Sequence, residues 1–135
     1  MAARYVTWKG FEADKLACIW LIKRHIDHDA TFVFLASGTK PASGIPFDMP
    51  DGDLRRRPDR SSFEVMLSYY RLNDPRLEKI ALFIHDIEIN TWEKKKYRQS
   101  ENIRRFVSTL LSEKKKPQEI IDAALPFFDQ LYLNP

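Results

Sequence analysis

Two β-forming pentads, "RYVTW" (residues 4–8) and "TFVFL" (residues 31–35), flank a segment that is apolar on every side from Leu16 to Ile22. A helix without a polar face has to be buried nearly all round. Strand, helix and strand in that order form a βαβ unit, whose strands run parallel with a right-handed crossover. Gly10 ends the first strand, and Glu12 and Asp14 follow where acidic residues suit the positive end of a helix dipole. The helix is expected to end near Ile26, with cationic Lys23, Arg24 and His25 at its negative end.

Residues 37–60 contain three glycines and four prolines, which reads as a long loop with a short extended piece at 45–48. A loop of that length inside a compact domain is usually functional or mobile. Four helical segments follow. Ser61 and Glu64 have the spacing of a capping box, ahead of Phe63, Met66, Leu67 and Tyr70. Asp74 then Pro75 reads as an N-cap with proline in the first helical position, and Leu77, Ile80, Ala81 and Ile84 face inward. Ser100 is expected to open a third, with Ile103, Phe106, Val107, Leu110 and Leu111 on its apolar stripe. Pro117 opens the last, which Pro126 is expected to kink or restart. The reading is a mostly helical α/β fold: one βαβ unit with a small two- or three-stranded sheet packed against about five helices. It is one domain over 1–135, made of the βαβ unit (4–36), the long loop (37–60) and the helical part (61–135).

With 44% hydrophobic and 13% aromatic residues, the chain can bury a continuous core. No apolar run is long enough to span a bilayer, so no membrane partner is expected, and the start "MAARYVTWKG" does not read as a signal peptide. Cys18 is the one cysteine, which excludes an internal disulfide and fits a reducing cytoplasm. The net charge of +3 is unevenly spread: residues 93–116 hold nine basic and three acidic groups. With few aromatics among them they read as a solvated helix face, ahead of nucleic-acid or acidic-partner binding. The arginines of "LRRRPDR" (54–60) lie beside Asp51, Asp53 and Asp59, which cancel much of their field.

Ligands in an open α/β sheet gather beyond the carboxyl ends of the strands. Lys9, Gly10 and Asp14 would line that edge after the first strand, and Ser37, Gly38, Thr39 and Lys40 after the second. A small oxyanion between the lysines and a helix N-terminus is one reading, and ordinary capping is the other. His25, Asp27, His28 and Asp29 have metal-ligand chemistry, but a polar helix end explains them too. His85, Asp86 and Glu88 form a second cluster, a weak metal motif when taken alone. Arg24, four residues after Trp20, can lie over the indole, snorkel, or clamp an anion with two oxygens.

The stretch "DKLACIWLIKRHID" (14–27), then "ATFVFL", "IPFDMP", "SSFEVMLSYYRLNDPRL", "IHDIE" and "FFDQLY", resembles the C-terminal domain of ChrB-type chromate-resistance proteins. Ile19 replaces a common proline of that pattern, His25 an aromatic, and the Arg55–Arg57 region lacks a histidine. The regulatory half that precedes this domain in ChrB-type proteins has no counterpart here, so a DNA-binding role is not expected. The resemblance implies a cytoplasmic domain linked to chromate or a similar oxyanion, with Asp14, Arg24, Asp48, Glu64, His85 and Asp86 around a common cleft. Three functions stand. The first is a binding or accessory domain for an oxyanion or metal ion, with Asp14, Arg24, Asp48, Lys9 and Lys40 toward a ligand and Glu64, His85 and Asp86 toward a metal. The second is a metal-dependent enzyme built on Asp14, Glu64, His85 and Asp86. The third is nucleic-acid or acidic-partner binding through 93–116. A divalent metal ion is the cofactor these residues admit, and homo-oligomerisation is left open.

Overall fold

The computed structural model describes residues 2–91 and 94–135; Met1, Trp92 and Glu93, the last at the head of the basic stretch, lie outside them. Strand β1 (Arg4–Trp8) pairs in parallel with β2 (Thr31–Leu35), Val6 opposite Val33. Between them runs α1 (Ala13–Leu21), all nine of whose residues are buried. The βαβ unit is therefore as expected, with one refinement at the helix end. Residues Ile22–Ile26 form a π-helical turn, closed by the Asp27 N–H donating to Ile22 O at 2.7 Å. The turn ends at Ile26, where the sequence places the helix end.

The third strand, β3 (Ile45–Pro46), lies on the other side of β1 and is also parallel, giving the order β2-β1-β3. The loop of residues 37–60 is tied down along much of its length. Trp8 Nε1 donates to Thr39 O at 2.7 Å, and the Asp48 N–H donates to Leu54 O at 2.8 Å. Phe47, Met49 and Leu54 are buried and anchor it as apolar pegs, each worth roughly 1.5–3 kcal/mol. It is a packed strap over the carboxyl edge of the sheet.

The helices α2 (Ser62–Tyr69), α3 (Pro75–Glu88), α4 (Arg98–Ser112) and α5 (Pro117–Leu133) complete the fold. The Ser61–Glu64 capping box and the Asp74 cap are formed. Leu77, Ile80, Ala81 and Ile84 are buried as expected, and on α4 Ile103, Val107 and Leu110 are buried while Phe106 and Leu111 are partly so. Two expectations are corrected. Helix α4 starts at Arg98, and Ser100 lies inside its first turn with Oγ donating to Phe83 O, 3.0 Å away. Helix α5 does not restart at Pro126 but runs through it. Pro126 and Asp122, whose carbonyl loses its partner, are both exposed, so water can take that bond. Next to it Phe127 stacks on Phe106 (centroids 4.0 Å apart, 7° between planes) and Phe128 packs on Trp20. No helix among the described residues is long and apolar enough to cross a membrane.

Candidate functional site

The N-terminus of α2 is driven into the interior beside α1, and its free N–H groups need acceptors there. Asp14, on the first turn of α1 and 1% exposed, supplies two of them. Its Oδ2 accepts the Ser62 N–H at 2.8 Å and its Oδ1 the Phe63 N–H at 3.0 Å. Ser61 Oγ accepts the third, from Glu64, at 3.2 Å, and Glu64 Oε1 returns the bond to the Ser61 N–H at 2.9 Å. Lys15, on the same turn as Asp14, donates to the Trp8 and Gly10 carbonyls and closes the turn from β1 into α1. Burial and the nearby Asp48 hold the Asp14 carboxyl well above the usual range, against the two N–H bonds that favour its charge.

More carboxylates converge on this end than capping requires. Asp48, in the left-handed region at φ 50°, accepts from Ser62 Oγ at 2.6 Å through Oδ1. Its other oxygen, Oδ2, is buried with no hydrogen-bond partner among the described residues. Burial raises the Asp48 carboxyl to about 6; Glu12 adds to the rise while Ser62, Lys15 and Arg56 oppose it. Glu88, from the last turn of α3, is buried and raised to about 7, again by burial first and Glu12 second. Arg56 reaches across from the strap and donates to Glu88 Oε2 at 3.4 Å and to the Glu88 carbonyl. Glu12, Asp48, Met49, Pro50, Arg55 and Arg56 line a hollow of about 280 Å³ here. Glu12 and Glu88 also border a second one of about 420 Å³ against α4. The place is the carboxyl edge of the sheet, where α/β folds gather ligands.

Glu64 and His85 meet on the neighbouring side of α2. His85 Nδ1 lies 2.8 Å from Glu64 Oε1, an oxygen that already accepts the Ser61 N–H, so Nδ1 carries the proton and donates. Of the six residues expected around a common cleft, Asp14, Asp48, Glu64 and His85 thus surround one helix terminus. Asp86 and Arg24 do not join them. Asp86 Oδ2 accepts the Lys96 and Tyr97 N–H groups at 2.8 and 3.2 Å, and Oδ1 accepts from Asn90 Nδ2 at 2.8 Å. Burial works to raise that carboxyl, and these donors outweigh it and leave it lowered.

The set Glu64, His85 and Asp86 therefore does not assemble around one ion. Among the described residues no three His, Cys, Asp or Glu side chains are placed to hold a metal. The anion clamp expected of Arg24 is filled from within the chain: Nε and Nη2 donate to Oδ1 and Oδ2 of Asp129, both at 3.0 Å, and Trp20 Nε1 donates to Oδ1 at 2.8 Å. Lys9 and Lys40 are exposed at the sheet edge. His25 packs edge-on against Trp20 and Tyr132, and Asp27 accepts the Ala3 and Asp29 N–H groups, so the polar end of α1 is structural.

The sequence reading missed the part played by Arg56. Its field was assigned to the neighbouring aspartates, but it bonds Glu88, 32 residues away. Glu88 was read as a companion of His85, yet the strap claims it. The legible signal was the pairing of an arginine-rich strap with an unmatched acid ending α3.

The profile of the family described as "ChrB, C-terminal domain" matches residues 5–134. "Protein ChrB" of Cupriavidus metallidurans is 32% identical over 88 residues, which is 64% of this chain and 27% of that protein. The chain thus spans about a quarter of that relative's length. No solved structure matches. With the match running from β1 almost to the last residue, the chain belongs to the ChrB C-terminal domain family.

Proposed function

We propose that this is a cytoplasmic ligand-binding domain of the chromate response, and that its cleft at the carboxyl edge of the sheet takes a hard, oxygen-seeking cation. The observation that carries the reading is Asp48 Oδ2, a buried carboxylate oxygen without a partner beside Glu12 and Glu88. A buried polar atom left unmatched costs stability, and such costs collect at sites whose partner comes from outside. The sign of the ligand follows from the unmatched atom. Lys15 bonds backbone carbonyls and Arg56 bonds Glu88, neither donates to Asp48 Oδ2, and an acceptor oxygen left over favours a cation over chromate itself. One or two carboxylates with retained water can hold a small hard ion, which does not call for three converging side chains. The link to chromate comes from family membership, and the cytoplasmic setting from the single thiol, Cys18.

Thermal melting tests the reading. In about 1 mM Mn2+ at neutral pH the melting temperature is expected to rise by several degrees, as mass action requires of a ligand that binds only the folded state. Chromate, sulfate and phosphate leave Asp48 Oδ2 unmatched and stabilise less. The rise is lost in Asp48→Asn. A rise with chromate that survives Asp48→Asn, with none for Mn2+, would overturn the assignment of sign and place.

A further inference from the structure

The two edges of the sheet differ. On β3 the Phe47 N–H bonds Val6 O, so the residue turned outward is Pro46, which has no N–H to offer a further strand. On the other side β2 runs for five residues in unbroken register, with no proline, charge or bulge to blunt it. Its Thr31 N–H bonds Ala3 O at 3.1 Å and its Leu35 O accepts the Lys9 N–H at 2.7 Å, so residues 31, 33 and 35 turn toward β1. Phe32 and Phe34 therefore point N–H and C=O away from the sheet, and nothing among the described residues bonds them.

The side chains of β2 divide between its faces. Phe32 packs on Tyr5 and Phe34 on Phe11, on the core side. Val33 and Leu35 lie on the outer face, apart from that core and half-buried. The connection from β2 to β3 crosses the outer face over β1, with Thr39 O accepting from Trp8 Nε1 and Ser43 Oγ from Arg4 Nη2, and Val6 is buried there. An all-parallel sheet normally has both faces covered, and β2 lacks that cover. On the core side of the same edge a hollow of about 450 Å³ opens beside Phe32, against Ile121 and Leu125 of α5.

We propose that β2 pairs with β2 of a second copy of this chain, antiparallel about a two-fold axis at Val33, joining two three-stranded sheets into one. The register is self-complementary. Phe32 comes opposite Phe34 of the other copy, where both have free N–H and C=O groups to exchange, and the two Val33 side chains meet on the outer face. The charges fit the antiparallel sense. At the amino end of β2, Asp29 and Asp122 are exposed, and Lys23 is spent on the His28 and Ala30 carbonyls. Beyond the carboxyl end Lys9 and Lys40 are exposed, and the two-fold brings this basic end to the acidic end of the other copy. The pairing closes on itself, since only the proline-blunted β3 edges are left outside. It lies across β1 from Asp48 and does not rest on the cation cleft.

Sedimentation velocity of the whole chain between about 5 and 200 µM tests this, with a monomer–dimer equilibrium expected inside that range. Hydrogen exchange identifies the surface without any variant: the Phe32 and Phe34 amides slow by about threefold or more from the lowest concentration to the highest, and Val33, which faces β1, does not change. Val33→Lys sets two ammonium groups against each other at the axis and is expected to weaken association by about tenfold or more, with the circular dichroism of wild type. A chain that stays monomeric at about 200 µM overturns the proposal and leaves the edge to a strand of another protein. A dimer whose Phe32 and Phe34 amides exchange as fast as in the monomer overturns it too, as does one that a folded Val33→Lys chain forms equally well.

Discussion

Two ends of α1 carry buried or half-buried acids, and they differ in how completely those acids are matched. At the C-terminal end Asp129 accepts from Trp20 and from both arms of the Arg24 fork, and Asp27 from two backbone N–H groups. Both carboxyls are held below their ordinary range: at Asp129 burial is outweighed by the Arg24 and Trp20 donors, and at Asp27 the Ala3 N–H leads. At the N-terminal end Asp14 is matched by the α2 N–H groups, but Asp48 keeps a buried oxygen without a partner and Glu88 is raised to about 7. A matched carboxylate is architecture. An excess one is a cost that folding by itself does not explain, which is why the proposed ligand is assigned to that end.

The contrast is broken most severely at Asp14. Asp14→Ala strands two buried N–H donors at the start of α2 and is expected to cost about 3 kcal/mol or more, read as the midpoint of urea unfolding. A variant as stable as wild type would make Asp14 another excess acid rather than a cap.

Next in size is the pH dependence. Asp48 and Glu88 have folded values of about 6 and about 7, above their ordinary carboxyl range. The folded state therefore holds protons that the unfolded state has released, so their contribution is present below about pH 4 and is lost as pH rises toward 7. Between about pH 4.5 and 7.5 stability should fall by an amount on the order of 2 kcal/mol, and Asp48→Asn with Glu88→Gln should lessen that decline, Asp14, raised by burial, keeping the same sign. Asp27, Asp74, Asp86 and Asp129 are lowered and act with the opposite sign, losing their contribution as pH falls below about 4. A profile that rises from pH 4.5 to 7.5 would contradict the excess at the N-terminal end.

The smallest effect belongs to the matched end. Arg24 and Asp129 are about 40% exposed, so Arg24→Gln is expected to cost about 1 kcal/mol or less and to leave ligand binding unaltered. A loss of Mn2+ binding in that variant would return Arg24 to the site.

The fold was readable because its main signals are local. Alternating β-formers around an all-apolar helix leave little freedom, and the Ser61–Glu64 and Asp74–Pro75 starts are encoded within a few residues. Helix α4 begins two residues ahead of Ser100, the residue expected to open it, whose buried hydroxyl bonds the α3 backbone instead. The site was readable only in part. Asp14, Asp48, Glu64 and His85 came from a family-like pattern and do gather at α2, whereas Arg24 and Asp86 share that pattern and serve other helices. Nothing in local sequence says which acid a loop arginine will reach. The bond from Arg56 to Glu88 is set by how the strap lies across the sheet, and so is the missing partner of Asp48.

Paramagnetic broadening of backbone amide signals by Mn2+ tests the central claim most directly. The account predicts loss of signal centred on residues 12–14, 47–49, 62–63 and 88 at substoichiometric Mn2+, with those signals restored in Asp48→Asn. Broadening centred on Asp27 and Asp129, or spread evenly over the exposed acids, would show that the unmatched oxygen of Asp48 marks no site.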